Sequence, residues 1–186
     1  MKKYIYTVML IVMSITAAKA QRMIPKQKGL EISTGTLSNK NWDTHYYLQI
    51  GVTINARNGN YQLWALEYTH RDAPYKELRI PLQTYTAEAG YSLQLLSVAR
   101  RSIALNAALT GVMGYETINE GKDMLYDGAK IISEENFIYG LGGRLSLETY
   151  LSDHWVLLIQ GRTKLLWGTS LVQLRPSAGV GLRFNF

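Results

Sequence analysis

The sequence contains no cysteine. That excludes disulfide cross-links, thiol catalysis and cysteine-based metal sites. Its histidines, His45, His70 and His154, match no metal-ligand spacing and imply no zinc site; loop or rim positions are expected for them. No N-x-S/T sequon occurs. The glycines at Gly140 to Gly143 lack the spacing of a phosphate-cradling loop and precede a strand-like run, so close packing or barrel curvature is expected there. Asp123 and Asp127 lack the ligand pattern of a calcium loop. No basic stretch interleaves with aromatics as a nucleic-acid groove would. No cofactor, metal, small-molecule substrate or direct nucleic-acid contact is therefore expected. Beyond residue 20 nothing approaches 18 consecutive apolar residues, so no membrane-spanning helix is expected.

What is present begins with a leader. Lys2 and Lys3 precede a mostly apolar stretch, Ile5 to Ala17, too short for a membrane span. Ala18-Lys19-Ala20 has the small-x-small form of a cleavage site, placing the cut before Gln21. Residues 1–20 are thus expected to be a secretory signal peptide, and 21–186 a single barrel domain. No cysteine stands at the cut, which excludes a bacterial lipid anchor. The leader takes three lysines and no acid, lowering the net charge from +6 to +3. The sequence pI near 9.4 is therefore weak evidence for a nucleic-acid partner.

The remainder alternates with period two. Tyr46, Leu48, Ile50, Val52 and Ile54 share one face of a strand against Tyr47, Gln49, Gly51 and Thr53. The same pattern fills Gln83 to Leu95, Ile103 to Tyr115, Phe137 to Leu151, Trp155 to Trp167, and a last strand from about Val172. Gly29 to Thr36 is short, and Asn60 to His70 carries apolar residues on both faces. Eight strands result, several longer than the ~5–6 residues usual in soluble proteins; about 9–11 tilted residues cross a bilayer core. Tyr85, Tyr91, Tyr115, Phe137, Tyr139, Trp155, Trp167, Phe184 and Phe186 cluster near the ends of apolar faces, as aromatic girdles do. Short turns at Asn58-Gly59, Ser97 to Ser102 and Ser152 to His154 alternate with longer connections at Leu37 to Thr44, Arg71 to Ile80 and Thr117 to Asn136. The fourth, near Gly168 to Leu171, is short. This favours an eight-stranded antiparallel barrel in the outer membrane of a Gram-negative bacterium, with outer-membrane lipid against its wall.

An eight-stranded barrel is just wide enough for side chains to fill. The faces opposite the apolar ones carry Glu67, Glu88, Glu116 and Glu148, with Arg144, Arg162, Lys164, Arg175 and Arg183. Unpaired, each would be costly to bury; together they are expected to satisfy one another as a structural plug that does not conduct. Val180, Leu182, Phe184 and Phe186 form the outward face of a C-terminal strand that closes the barrel, and the barrel-assembly machinery is its expected transient partner. One catalytic reading exists: Asp43, Thr44 and His45, with Ser38 nearby, supply an acid, a hydroxyl and an imidazole. Adjacency in sequence is not a catalytic geometry, and a non-enzymatic protein is expected.

The leader "MKKYIYTVML…AKAQR" and seven further blocks resemble one family: "IPKQKGLE", "LRIPLQTYTAEAGY", "TGVMGYETINEG", "MLYDGAKI", "NFIYGLGG", "LETYLSDHWVLLIQGRTKLLWG" and "RPSAGVGLRFNF". In order and completeness they are similar to the conjugative transposon protein TraO of the Bacteroidetes. The resemblance implies membership of a conjugation operon, with other conjugal transfer proteins of a type IV-like secretion apparatus as partners. It brings no catalytic residue. With a lumen too narrow for DNA, a structural role through anchoring or partner contact is expected. The alternative is a stand-alone surface barrel in mating-pair contact or envelope protection.

Overall fold

The computed structural model describes residues 24–37, 45–75, 78–98, 102–118, 135–169 and 172–186, and the side chains of 73–79 are not among what it describes. The expected signal peptide, with Ala18, Ala20 and Gln21, lies outside these residues, as do Ser38, Asp43, Thr44 and residues 119–134. Eight strands form one closed antiparallel barrel in sequence order: β1 (Lys28–Leu37), β2 (Tyr46–Asn55), β3 (Tyr61–Tyr75), β4 (Leu78–Val98), β5 (Ile103–Ile118), β6 (Glu135–Tyr150), β7 (Trp155–Trp167) and β8 (Leu174–Asn185). No described helix is long and apolar enough to cross a membrane, which says nothing of strands.

Alternation decides which side chain goes where. Along β7 every even residue from Val156 to Leu166 is buried, while the odd ones are exposed or half-buried. The buried set is largely polar: Glu148 and Arg183 have no exposed surface at all, whereas Leu66, Leu109 and Phe137 are each over 60% exposed. A water-soluble barrel has the reverse arrangement, and a contiguous apolar wall of this extent marks a surface built to meet something apolar.

The register fixes the tilt. From Leu37, the paired residues Ser177, Arg162, Arg144, Ala108, Ser92, Tyr61 and Asn55 lead once round the barrel. The path returns to the first strand's line at Gln27, whose carbonyl accepts from Asn55 N at 2.8 Å. A return ten residues lower, over eight strands about 4.8 Å apart, corresponds to a tilt of about 40°. At that tilt the strand from Trp155 to Trp167 rises about 30 Å, the thickness of a bilayer's hydrocarbon core.

Aromatics mark both limits of this band. At the end away from the termini a belt runs from β2 to β7. Tyr46 lies 6.3 Å from Tyr68, which lies 5.2 Å from Tyr85. Tyr85 is registered with Tyr115, and Tyr115 with Phe137. Phe137 stacks near Tyr139, which lies 6.1 Å from Trp167. At the terminal end Trp155 meets Phe184 at 5.0 Å.

Turn chemistry and closure are local. Asn58 (φ 60°) and Gly59 (φ 78°) both take the left-handed conformation of a tight hairpin between β2 and β3, which asparagine and glycine tolerate best. β8 pairs with β1 from Gly29↔Asn185 to Leu37↔Ser177, and Phe186 N donates to Lys28 O at 2.9 Å. Val180, Leu182, Phe184 and Phe186 face outward.

One expectation is corrected. The stretch Arg71 to Ile80 is not a loop: the β3–β4 ladder continues from Arg71↔Leu82 to Tyr75↔Leu78. It projects past the start of β2, whose Tyr46 pairs with His70. A hairpin beyond the apolar band has no apolar phase to impose alternation, so its ladder continues where the period-two signal ends. His45 lies in the connection just before β2, level with the rim, with its side chain buried. His70 does lie at the rim, stacked on Tyr46 and 3.4 Å from Asp72. His154 lies in the β7 turn, its Nδ1 2.7 Å from the Asn185 carbonyl.

Candidate functional site: the charged lumen

Inward positions on neighbouring strands meet across a narrow lumen, where Coulomb attraction is strong because little water intervenes. The charged side chains gather at three levels.

Nearest the termini, Arg144 holds Glu31 through two bonds of 2.7 and 3.2 Å. Arg183 reaches the same carboxylate from Nε and Nη2, at 3.1 and 2.9 Å. It also grips Glu148 with both terminal nitrogens, at 3.0 and 3.2 Å. Its guanidinium lies over the Tyr61 ring at 4.3 Å, and the Tyr61 hydroxyl donates to Glu148 at 2.6 Å. Forked charge-assisted bonds of this kind are the strong ones.

At mid-height four charges form a neutral square. Arg162 bridges Glu67 (2.6 Å) and Glu88 (2.8 Å), and Lys164 bridges the same two at 2.6 and 2.5 Å. Arg162 also lies over the Tyr47 ring at 4.8 Å. Tyr47 fits because Gly35 and Gly179 are registered partners beside it. A Cβ on Gly179 would collide with the Tyr47 hydroxyl and the Thr34 carbonyl. The inward glycines Gly35 and Gly179 thus make room for a tyrosine at this level.

At the far end Arg175 pairs with Glu116 at 2.5 Å. Arg175 also donates to the Thr169 hydroxyl at 2.7 Å, and that hydroxyl donates to Glu116 at 2.9 Å.

All nine side chains singled out in the sequence therefore lie in the lumen, at three separate levels. The sequence reading missed a tenth, Glu31, which is 1% exposed and bonded to two arginines. The signal was available: Leu30 and Ile32 are apolar, so parity puts Glu31 on the opposite face with Gly29 and Ser33. With it, the ion-paired acids and bases of the lumen number five each among the described residues. Among the described residues no cluster of three metal-binding side chains occurs.

Solved structures share this architecture. The chain is similar to Ail, the attachment invasion locus protein of Yersinia pestis, at 12% identity, with 88% of this chain and 100% of that chain covered and a TM-score of 0.57. It is similar to Neisserial surface protein A at 13% identity, covering 86% and 95%, with a TM-score of 0.51. Ail as a Yersinia pestis outer membrane protein in a phospholipid nanodisc matches at 12% identity, 87% and 99% coverage and a TM-score of 0.49. Such identities show the fold alone. No curated protein matches the chain. The family described as conjugative transposon protein TraO matches residues 24–186, nearly the full length. The chain belongs to the TraO family of conjugative transposon proteins.

Proposed function

We propose that this protein is a non-enzymatic, structural outer-membrane component of a conjugative DNA-transfer apparatus of the type IV secretion kind, exported by its leader. It acts by anchoring and by partner contact, not as a conduit. One observation carries the reading: the lumen is crossed at three levels by paired charges, from Glu31–Arg183 to Glu116–Arg175. A strand of DNA has no way through such an interior, and steady single-channel conductance is not expected. What remains for partners is the outside: the short turns at Arg57–Gly59 and Ser152 to His154, the projecting β3–β4 hairpin, and the apolar wall. Family membership supports a role in transfer, and the fold shared with barrels such as Ail supports the membrane location.

The orientation follows from the connections: the termini and the short turns face the periplasm, and the β3–β4 hairpin faces outward. Assembly machinery meets strand β8 during insertion.

The test is affinity purification from donor cells with transfer genes induced, using a tag in the Ser152 to His154 turn and mild detergent. Co-purification of other transfer proteins in fixed ratio is expected. Recovery of the barrel alone would move the role to the surface, with the projecting hairpin in mating-pair contact.

A further inference from the structure

At the terminal end of the barrel β4 outruns its neighbour β3. Its ladder with β3 ends at Tyr61↔Ser92, while its ladder with β5 runs on to Val98↔Ile103. Gln94 N finds a substitute for β3 in the Asn60 side-chain oxygen, at 3.0 Å. From Leu95 to Val98 no described residue pairs with β4 on that side. Leu95, Leu96 and Val98 are 52, 63 and 59% exposed. The register shift between Gln94 and Leu96 sets their direction. Up to Gln94 the even positions of β4 face the lumen. Beyond the shift, Leu96 and Val98 register with Leu105 and Ile103 of the outward row, and Ser97 with buried Ala104. Leu96 is also registered, through Leu105 and Leu147, with Ile159. The barrel's stagger lowers this line by about four residues over three strands. That sets Leu96 level with Trp155, and Ser97 and Val98 beyond it, past the apolar band.

An open edge is a template for another strand, and proteins commonly blunt one with lysine, proline or an inward charge. Leu95 to Val98 carry none of these. A second copy does not fit the edge. Copies in one membrane are related by an axis along the membrane normal. Their β4 strands, each tilted by about 40°, would cross at about 80°, where no ladder forms. The surroundings are basic: residues 50–66 and 89–115 contain Arg57, Arg100 and Arg101 and no acid, and Arg57 is exposed in the turn beside the edge. We propose that the edge of β4 from Leu95 to Val98 docks an extended periplasmic segment of a partner protein by strand addition. The segment alternates apolar residues, which continue the outward row beside Leu96 and Val98, and carries acidic residues at one end to meet Arg57. This deepens the partner-contact role proposed above and rests on it for the protein that brings the segment. The edge itself is read with a peptide, so its failure is distinct from a failure to co-purify transfer proteins.

The experiment uses the full mature barrel in phosphatidylcholine nanodiscs, its folding verified by heat-dependent gel migration. The probe is a fluorescent peptide of four valine-threonine repeats headed by two aspartates, followed by anisotropy, with empty nanodiscs as reference. Saturable binding to the barrel and not to empty discs is expected. Leu96→Lys and Ser97→Pro should each weaken it about tenfold or more, and Arg57→Glu about threefold. Lys28→Glu, the same charge change at the same end but three strands away, should change it less than about twofold. Leu96→Lys keeps the test open if Ser97→Pro fails to fold. Binding no greater than to empty discs, or equal binding by folded Leu96→Lys, would overturn the proposal and assign Leu96 and Val98 to the membrane surface. A peptide-free barrel that runs as a dimer, and as a monomer once Leu96→Lys is made, would overturn it in favour of a second copy.

Discussion

The two ends of the lumen are built from the same residue types and differ in how those residues are satisfied. At the terminal end, Arg183 spends its guanidinium on two carboxylates and one tyrosine ring, and Arg144 doubles the hold on Glu31. At the far end one arginine holds one glutamate with a threonine's help, and a second, Arg71, has no described ion pair. The level between them is redundant: either base can hold both acids. The difference teaches that a charge-filled lumen is not uniformly a staple. Removing one partner of a buried pair strands the other charge, and the cost depends on how many substitutes remain nearby.

Graded substitutions break or sharpen this comparison, read as urea unfolding in lipid vesicles. Arg183→Met is expected to cost most, about 3–5 kcal/mol, because Glu148 loses its one ion pair among the described residues and Glu31 one of two. Arg162→Met should cost about 2 kcal/mol, since Lys164 still bridges Glu67 and Glu88. Arg175→Met should cost about 1–2 kcal/mol, with Glu116 near the mouth and still bonded to Thr169. Arg71→Gln should lie within about 0.5 kcal/mol of the parent or stabilise it, because no described ion pair is lost. Equal costs for Arg183→Met and Arg175→Met would remove the distinction between the ends.

A polar lumen also separates the two faces of each strand. Because side chains alternate with period two, a one-residue slip in register would turn Arg183 or Glu148 onto the apolar wall. The same alternation made most of the fold legible in sequence. Strand β7, Trp155 to Trp167, was delimited by residue because its apolar and polar positions alternate without interruption. β1 was seen as a short strand, and small residues at Gly29, Ser33 and Gly35 hid the inward face to which Glu31 belongs. Arg71 was placed in a loop because alternation stops where the apolar band stops, although the β3–β4 ladder continues. The shift between Gln94 and Leu96, where β4 slips against β5, has no signature in residue type. Which acid meets which base was not legible at all. Glu31 and Arg144 are 113 positions apart, and the barrel's stagger, not local pattern, brings them together.

The central claim is that lipid covers the odd face of β5 and a closed polar lumen the even face. The absence of native cysteine permits a direct test. Single cysteines at Ala107, Ala108, Leu109, Thr110, Gly111, Val112 and Met113 would carry nitroxide spin labels in the protein reconstituted into bilayers, with collisions by lipid-dissolved oxygen measured at each. High oxygen accessibility at 107, 109, 111 and 113, and low accessibility at 108, 110 and 112, is the predicted result. No alternation, or collisions with a water-soluble quencher on the odd positions, would contradict it.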